Sequence, residues 1–505
     1  MLQNLNIYGR IVWLKWFYKD VCLKIMINSE NNTYKSPFCS RYSSKEMLYI
    51  FSEEKKIKTW RKLWVALSRA EKELGLPISS KQIKELEDNI NIIDYETAKK
   101  REKIVKHDVM AQIYAYAKQC KNAAKIIHLG ATSCYVTDNA DIIAMKEALK
   151  LIKKKLLGVI KLLCDFAFNT RNIPCLSYTH LQPAQLTTVG KRAALWTQDF
   201  YMDFLDISSI IENLMLLGSK GATGTQASFL ELFKKDEKKI ELLEKKIAKE
   251  MGFDRVICLS GQTYSRKIDF KILSVLSSIA QSSMKFSYDM RILQSFKELE
   301  EPFETNQIGS SAMPYKRNPM KSERITALSR YVLTNLLNTS FTAGTQFFER
   351  TLDDSANRRI VIPESFLAVD AILNLMLNIC SNITINKKVI EKRTLKELPF
   401  MATENIMMVA TKKGGNRQKI HEKLRKLSME AAAIVKEKGE ENDLIDRLEK
   451  EDDLNLEKEE IEKILKPENF IGLSARQVEN FKEKFIDPIL EENSKEIIDK
   501  FENLI

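Results

Sequence analysis

One stretch constrains the fold more than any other. Between Ile142 and Phe166 the apolar residues fall at Ile142, Met145, Leu149, Ile152, Leu156, Val159, Leu163 and Phe166, in unbroken steps of three and four. That period belongs to an α-helix and draws one continuous apolar stripe along it, with Lys146, Lys150, Lys154 and Lys161 on other faces. A second stripe runs through Trp196, Phe200, Phe204, Ile207, Ile211 and Leu214. A third runs through Ile272, Val275, Ile279, Phe286, Met290 and Leu293. In its middle, Ser277, Ser278, Ser282 and Ser283 are small enough to let neighbouring helices approach closely. A fourth long helix is expected over about 322–348. Only 16 Gly and 11 Pro interrupt 505 residues. Stripes this long need equally long partners, so the expected fold is all-α: a bundle of long, nearly antiparallel helices with copies of the chain assembled around it. No βαβ alternation is visible.

The expected sections are an N-terminal extension (1–26), shorter helices and loops (27–132), the bundle (133–385) and a highly charged helical section (386–505). Residues 1–26 include Ile11, Val12, Trp13, Leu14, Trp16 and Phe17, interrupted by Arg10, Lys15 and Lys19. This run is too short and too charged to span a bilayer. A targeting peptide is one reading; a lead ahead of a start at Met26 is the favoured one. No other segment is expected to approach membrane-spanning length.

The net charge is +12. Lysines alternate with glutamates, as over 234–249 and 451–463, which is the pattern of solvated helix faces; no aromatic-lined basic stripe argues for nucleic acid. The eight cysteines form no C-x-x-C pair and no zinc spacing, and read as reduced thiols of a cytoplasmic protein.

Four stretches break the helical pattern. Gly309–Pro319 reads as a mobile loop between long helices; its Ser, Lys and Asn suit a developing carboxylate dianion, although composition alone fits a plain surface loop. Ser177–Gln185 carries His180, one of four histidines, set among Thr179, Gln182 and Gln185. A lone histidine is more often a cap or core residue, but this one can exchange a proton near neutrality. Glu349–Arg359 holds three arginines that either grip a phosphate or are consumed by Asp353 and Asp354 in a salt-bridged turn. His128–Ser133, ending in Thr137-Asp138-Asn139, reads as a helix start capped by Asp138 or Asn139, or as hydroxyls and N–H groups offered to a carboxylate.

Gly309–Asn318 resembles the signature loop of the fumarase/aspartase superfamily, G-S-S-x-M-P-x-K-x-N, at every fixed position. Within it, residues 40–44, 106–110, 179–185, 349–359, 397–405 and 414–417 are similar to motifs of the adenylosuccinate lyase family. The resemblance runs from about residue 34 to the C-terminus. It implies elimination of fumarate from adenylosuccinate and from the succinyl-carboxamide intermediate of purine synthesis, in a homotetramer whose sites each draw on three chains. It implies no metal and no organic cofactor.

By the same resemblance, Ser310 is the base (Ser311 less favoured) and His180 the acid. Lys316 and Asn318 are candidates to stabilise the serine and hold a carboxylate, and His107 aligns the substrate. Arg41, Tyr42, Arg350, Ser355 and Arg359 match nucleotide-contacting positions. Thr132, Ser133, Gln262 and Arg324 match positions around the succinyl carboxylates and the base. Lys106, Asp108 and Thr179 join the substrate-binding set. Two departures stand out: Lys106 replaces a common Arg, losing a bidentate fork, and Gln112 replaces a frequent His. The Gly-Ser end of the loop is expected to act as a lid. The rival readings are another lyase of the superfamily, such as argininosuccinate lyase or fumarase, and a non-catalytic, crystallin-like scaffold.

Overall fold

A computed structural model describes residues 32–500 apart from positions 305, 452, 453 and 455; the expected extension over 1–26 lies outside the described residues. The first apolar stripe lies on helix α4 once the preceding helices are numbered: α1 (Glu53–Glu73), α2 (Tyr95–Val105), α3 (Asp108–Gln119) and α4 (Ser133–Asn169). Ile142, Met145, Leu149, Ile152, Leu156, Val159 and Leu163 are all fully buried. A two-stranded hairpin follows, β1 (Pro174–Thr179) and β2 (Gln182–Thr188). Then come α5 (Val189–Asn213), α6 (Glu237–Glu250), α7 (Lys267–Ser295), α8 (Met320–Gly344) and α9 (Asp353–Ser381). The charged C-terminal section opens with α10 (Lys387–Met401), α11 (Thr403–Lys412) and α12 (Arg417–Ala433). The all-α expectation holds: among the described residues, sheet is confined to the hairpin and the two-residue pair Leu299–Glu300 with Thr384–Ile385.

Three expectations are corrected. The stretch around His180 is a β-hairpin, because Leu176, Tyr178 and Leu186 supply a pleated surface that packs on Leu398 of α10. The fourth helix ends at Gly344, and a fifth, α9, begins at Asp353 inside the stretch read as a break. That helix is long and apolar enough to cross a membrane, contrary to expectation, but most of its apolar stretch is buried among the other helices.

The bundle has two distinct ends. At the head, Arg266 before α7 meets Asp138 of α4 and Asp354 of α9. There the Gln262 amide bonds the Glu349 carbonyl beyond α8, and Gly218 beyond α5 bonds Asn139. At the tail, Tyr178 of β1 lies 5.5 Å from Phe296 just after α7, and the Glu301 carboxylate accepts from Lys321 and Ser322 in the first turn of α8. Helix α7 joins the two ends; its 29 residues make it about 43 Å long. Deep in the bundle, Lys155 donates to Asp370 at 2.5 Å and to Asn374 at 3.0 Å, a buried cation that the stripe did not foretell.

The main core runs through residues 38–390 and takes in Val478 and Ile486 of the C-terminal section, whereas Ala402–Ile461 supply a separate, smaller core.

Candidate active site

A cleft of about 810 Å³ opens at the head end. Its walls bring together Lys106, His107 and Asp108 from the α2–α3 junction, Ser133 from α4, Gln262, and Arg350, Ser355 and Arg359 from the start of α9. Thr132 caps α4 next to them.

Local backbone explains the placement. Lys106 ends α2 in the left-handed region at φ 54°, so the chain turns sharply and His107 becomes the N-cap of α3. The His107 Nδ1 accepts from the Met110 amide at 3.4 Å, leaving Nε2 for the cleft. Helix α4 begins at Ser133, five residues before the expected cap; Asp138 instead turns inward to Arg266. Neither Thr132 nor Leu352 caps its helix with a side chain. Two long helices therefore start at the cleft with uncapped N-termini, whose free N–H groups and dipoles favour an anion. Behind His107, His128 is held neutral: burial first, then the nearness of His107, lower its pKa to about 4. Its Nδ1 accepts from the Trp64 indole at 3.0 Å.

The floor of the cleft is a buried charge network that the sequence reading missed. Arg266 donates to Asp354 at 2.6 Å and to Asp138 at 2.9 Å, and Arg358 donates to Asp269 at 2.7 Å and to the Tyr264 hydroxyl. Burial by itself would raise Asp354, but Arg266 and Arg350 outweigh it and hold the carboxyl below its ordinary range. Of the three arginines at 350–359, Arg358 is consumed by Asp269 and Asp141 of other helices and not by Asp353 or Asp354; the salt-bridged turn is seen at Arg350 instead. Arg350 shares Asp354 at 2.8 Å, and Arg359 pairs with Asp108 at 2.9 Å. Those two line the cleft and can turn to a phosphate.

The remaining candidates lie elsewhere. Ser310, Lys316 and Asn318 occupy a largely exposed loop at the tail end. The loop is closed on itself: Asn318 Nδ2 donates to the Gly309 carbonyl at 2.7 Å, which uses one of its two N–H donors. A Cβ at Gly309 would come within 2.1 Å of the Lys316 carbonyl, which makes glycine obligatory there. The Ser310 Oγ accepts from the Met313 and Ala312 amides at 3.1 and 3.3 Å. Two N–H dipoles aimed at one hydroxyl oxygen favour its deprotonated form.

Thr179 and His180 are exposed at the hairpin tip. His180 and Leu181 both have positive φ, 54° and 58°, as a two-residue turn demands. For side chains other than Gly or Asn this costs roughly 1 kcal/mol each. The stem is rigid: Arg393 of α10 bridges the Tyr178 hydroxyl at 3.0 Å and Glu298 at 2.7 Å. Arg41 and Tyr42 sit on a single helical turn, Phe38–Tyr42, against α9, and the Tyr42 ring lies 5.7 Å from the Arg324 guanidinium. Among the described residues no hydrogen bond or ion pair joins His180 to the Ser310 loop or either to the cleft.

The sequence reading also passed over the turn Gly218–Gln226. Its glycines at 218, 221 and 224 all take positive φ, and Ala222 accepts from the Gln262 side chain at 3.0 Å. The regular three-residue glycine spacing was the available signal.

Residues 41–334 match a family model described as lyase, and 399–481 match one described as adenylosuccinate lyase C-terminus. The chain is 48% identical to an adenylosuccinate lyase of Saccharomyces cerevisiae over 93% of its length and 98% of that protein's. It is 47% identical to one of Schizosaccharomyces pombe, over 91% and 96%. An adenylosuccinate lyase of the archaeon Methanocaldococcus jannaschii is 32% identical over 90% and 97%. Among solved structures, a 3-carboxy-cis,cis-muconate lactonizing enzyme from Pseudomonas putida superposes with a TM-score of 0.77 at 20% identity, covering 92% of this chain and 100% of that one. A fumarate lyase from Mesorhizobium superposes at 0.74 and 21%, covering 89% and 99%. These two establish the shared fold.

Proposed function

The chain belongs to the adenylosuccinate lyase family, and from that premise we propose that it is a C–N lyase that eliminates fumarate from adenylosuccinate to leave AMP, and from the succinyl-carboxamide nucleotide (SAICAR) to leave AICAR. The observation that carries the reading is the head-end cleft, where Arg350, Arg359 and two uncapped helix N-termini favour the phosphate of a nucleotide. Argininosuccinate and fumarate carry carboxylates but no phosphate, which the nucleotide substrates bring in addition.

Elimination removes a proton from the carbon next to a carboxylate. The C–H electrons then form the new double bond, and the C–N bond electrons leave on the nucleotide's nitrogen. Ser310 takes the proton; the Ala312 and Met313 amides lower the cost of its alkoxide. Lys316, in the same loop, adds a positive charge for the dianionic intermediate. His180 gives a proton to the departing nitrogen. General acid–base help of this kind contributes about 10²–10⁴-fold per group.

The loop and hairpin lie at the tail and the cleft at the head, about 43 Å apart along α7, so one chain does not complete a site. Copies packed antiparallel bring the tail of one against the head of another. Leu195, Met202 and Leu205 on α5 and Leu337 and Phe341 on α8 are exposed apolar residues suited to such packing. We place the enzyme in a homotetramer with shared sites, in the cytoplasm, where the unpaired thiols of the described cysteines are stable.

Incubating the purified protein with adenylosuccinate and following AMP and fumarate tests this directly. Turnover of argininosuccinate but not of adenylosuccinate would overturn the assignment.

A further inference from the structure

Gln262 sits where four segments meet at the head end. Its backbone amide donates to the Glu349 carbonyl at 3.0 Å, next to Arg350. Gly261 beside it must be glycine, since a Cβ there would lie 2.6 Å from the same carbonyl. The side-chain Nε2 donates to the Ala222 carbonyl at 3.0 Å. A carbonyl only accepts, so this bond fixes which way the amide is turned. The Oε1 therefore faces the head of α4, where the Cys134 Sγ lies at 3.3 Å and donates to it. Cys134 is itself buried in the cleft wall, between Ser133 and Thr137. With both ends of the amide held, one N–H of Gln262 remains for a ligand.

Resting on the reading above, we propose that Cys134 is a positioning residue: its thiol locks the amide of Gln262 so that the free N–H points at the substrate. The role asks for a neutral S–H, not a reactive thiolate. Burial agrees with this, pushing the thiol up to about 11. A carboxylate or carbonyl on the ligand would meet a fixed donor in place of an amide free to flip. Removing the thiol leaves the Gln262 oxygen without its donor and lets the amide rotate.

The test is a double-mutant cycle on the full-length protein with adenylosuccinate as substrate, using C134A, C134S, Q262A and C134A/Q262A. Loss of one neutral hydrogen bond predicts a fall in kcat/KM of about three- to tenfold for C134A. C134S keeps a donor and is expected to recover most of it. In the Q262A background, C134A is expected to cost nothing further, since its effect passes through the amide. C134A equal to wild type, or losses that multiply in the double variant, would overturn the proposal. Should C134A not accumulate as folded protein, C134V replaces it, keeping the volume without a donor. A wild-type enzyme inactive on adenylosuccinate would sink the functional reading; an active one with multiplying losses sinks only the role of Cys134.

Discussion

Arg359 on α9 reaches to Asp108 at the head of α3 and holds its carboxylate at 2.9 Å. The pair joins two walls of the cleft, and both members were nominated to meet substrate. Arg359 is mostly exposed, so the bond itself contributes little to stability. A phosphate entering the cleft would compete with Asp108 for the guanidinium. Arg359→Ala is expected to raise KM for adenylosuccinate at least tenfold while lowering kcat much less, with unchanged thermal stability. Arg359→Lys should recover only part, because an ammonium lacks the bidentate fork. Steady-state kinetics would check both, and an unaltered KM in the alanine variant would remove Arg359 from the phosphate site.

Ser310→Ala and His180→Ala are each expected to lower kcat by about 10²–10⁴-fold. If the site is shared, co-refolding the two inactive variants should restore part of the activity, since some hybrid sites combine an intact loop with an intact hairpin. Recovery is expected only where the two residues of one site come from different chains. Either single variant with wild-type kcat would refute the corresponding role.

Gly309→Ala forces a Cβ onto the Lys316 carbonyl and opens the loop that presents Ser310. Activity is expected to fall at least tenfold with little change in Tm, because the loop contributes few buried contacts. As a lid, the loop is also expected to be cut more slowly by protease when AMP and fumarate are bound. Equal cutting with and without them would count against closure.

The floor of the cleft should behave as a structural unit. Arg358→Ala leaves Asp269 buried without its cation, which costs about 3–5 kcal/mol. Thermal or denaturant unfolding should show that loss, and kinetics alone should not.

Glu71 on α1 gives a pH dependence with a definite sign. Its carboxyl is fully buried with no partner among the described residues, and burial raises its pKa to about 9. The folded state therefore keeps a proton that the unfolded state loses near the ordinary carboxylate value of about 4.5. Stability from this group is full below that value and declines as pH rises toward about 9. At pH 7 the loss is about 3 kcal/mol at most. Glu71→Gln should raise Tm at pH 8 and flatten the Tm profile over this range. An unchanged profile would show that Glu71 is charged in the fold.

Much of this was written locally. The stripe from Ile142 to Leu163 determines a helix because burial demands one apolar face at every turn, and all seven positions are buried. The signature loop was legible because Gly309, Ser310 and Asn318 make these contacts inside the loop's own ten residues. His180 was legible as a residue but not as a hairpin tip, since its strained turn is held by Arg393, more than 200 positions away. The fate of the arginines was undecided for the same reason. Arg358 is spent because Asp269 and Asp141 reach it from other helices, while Arg350 has only a share of Asp354, which Arg266 also holds. The sequence by itself determined the long helices, which depend on near neighbours in the chain, and nominated the reacting groups through their motifs. Only the tertiary structure decided which charges are neutralised and which face the cleft, and that hairpin and cleft stand at opposite ends of the bundle. Charge pairing and helix packing are set by distances in space, and neighbours along the chain do not carry that information.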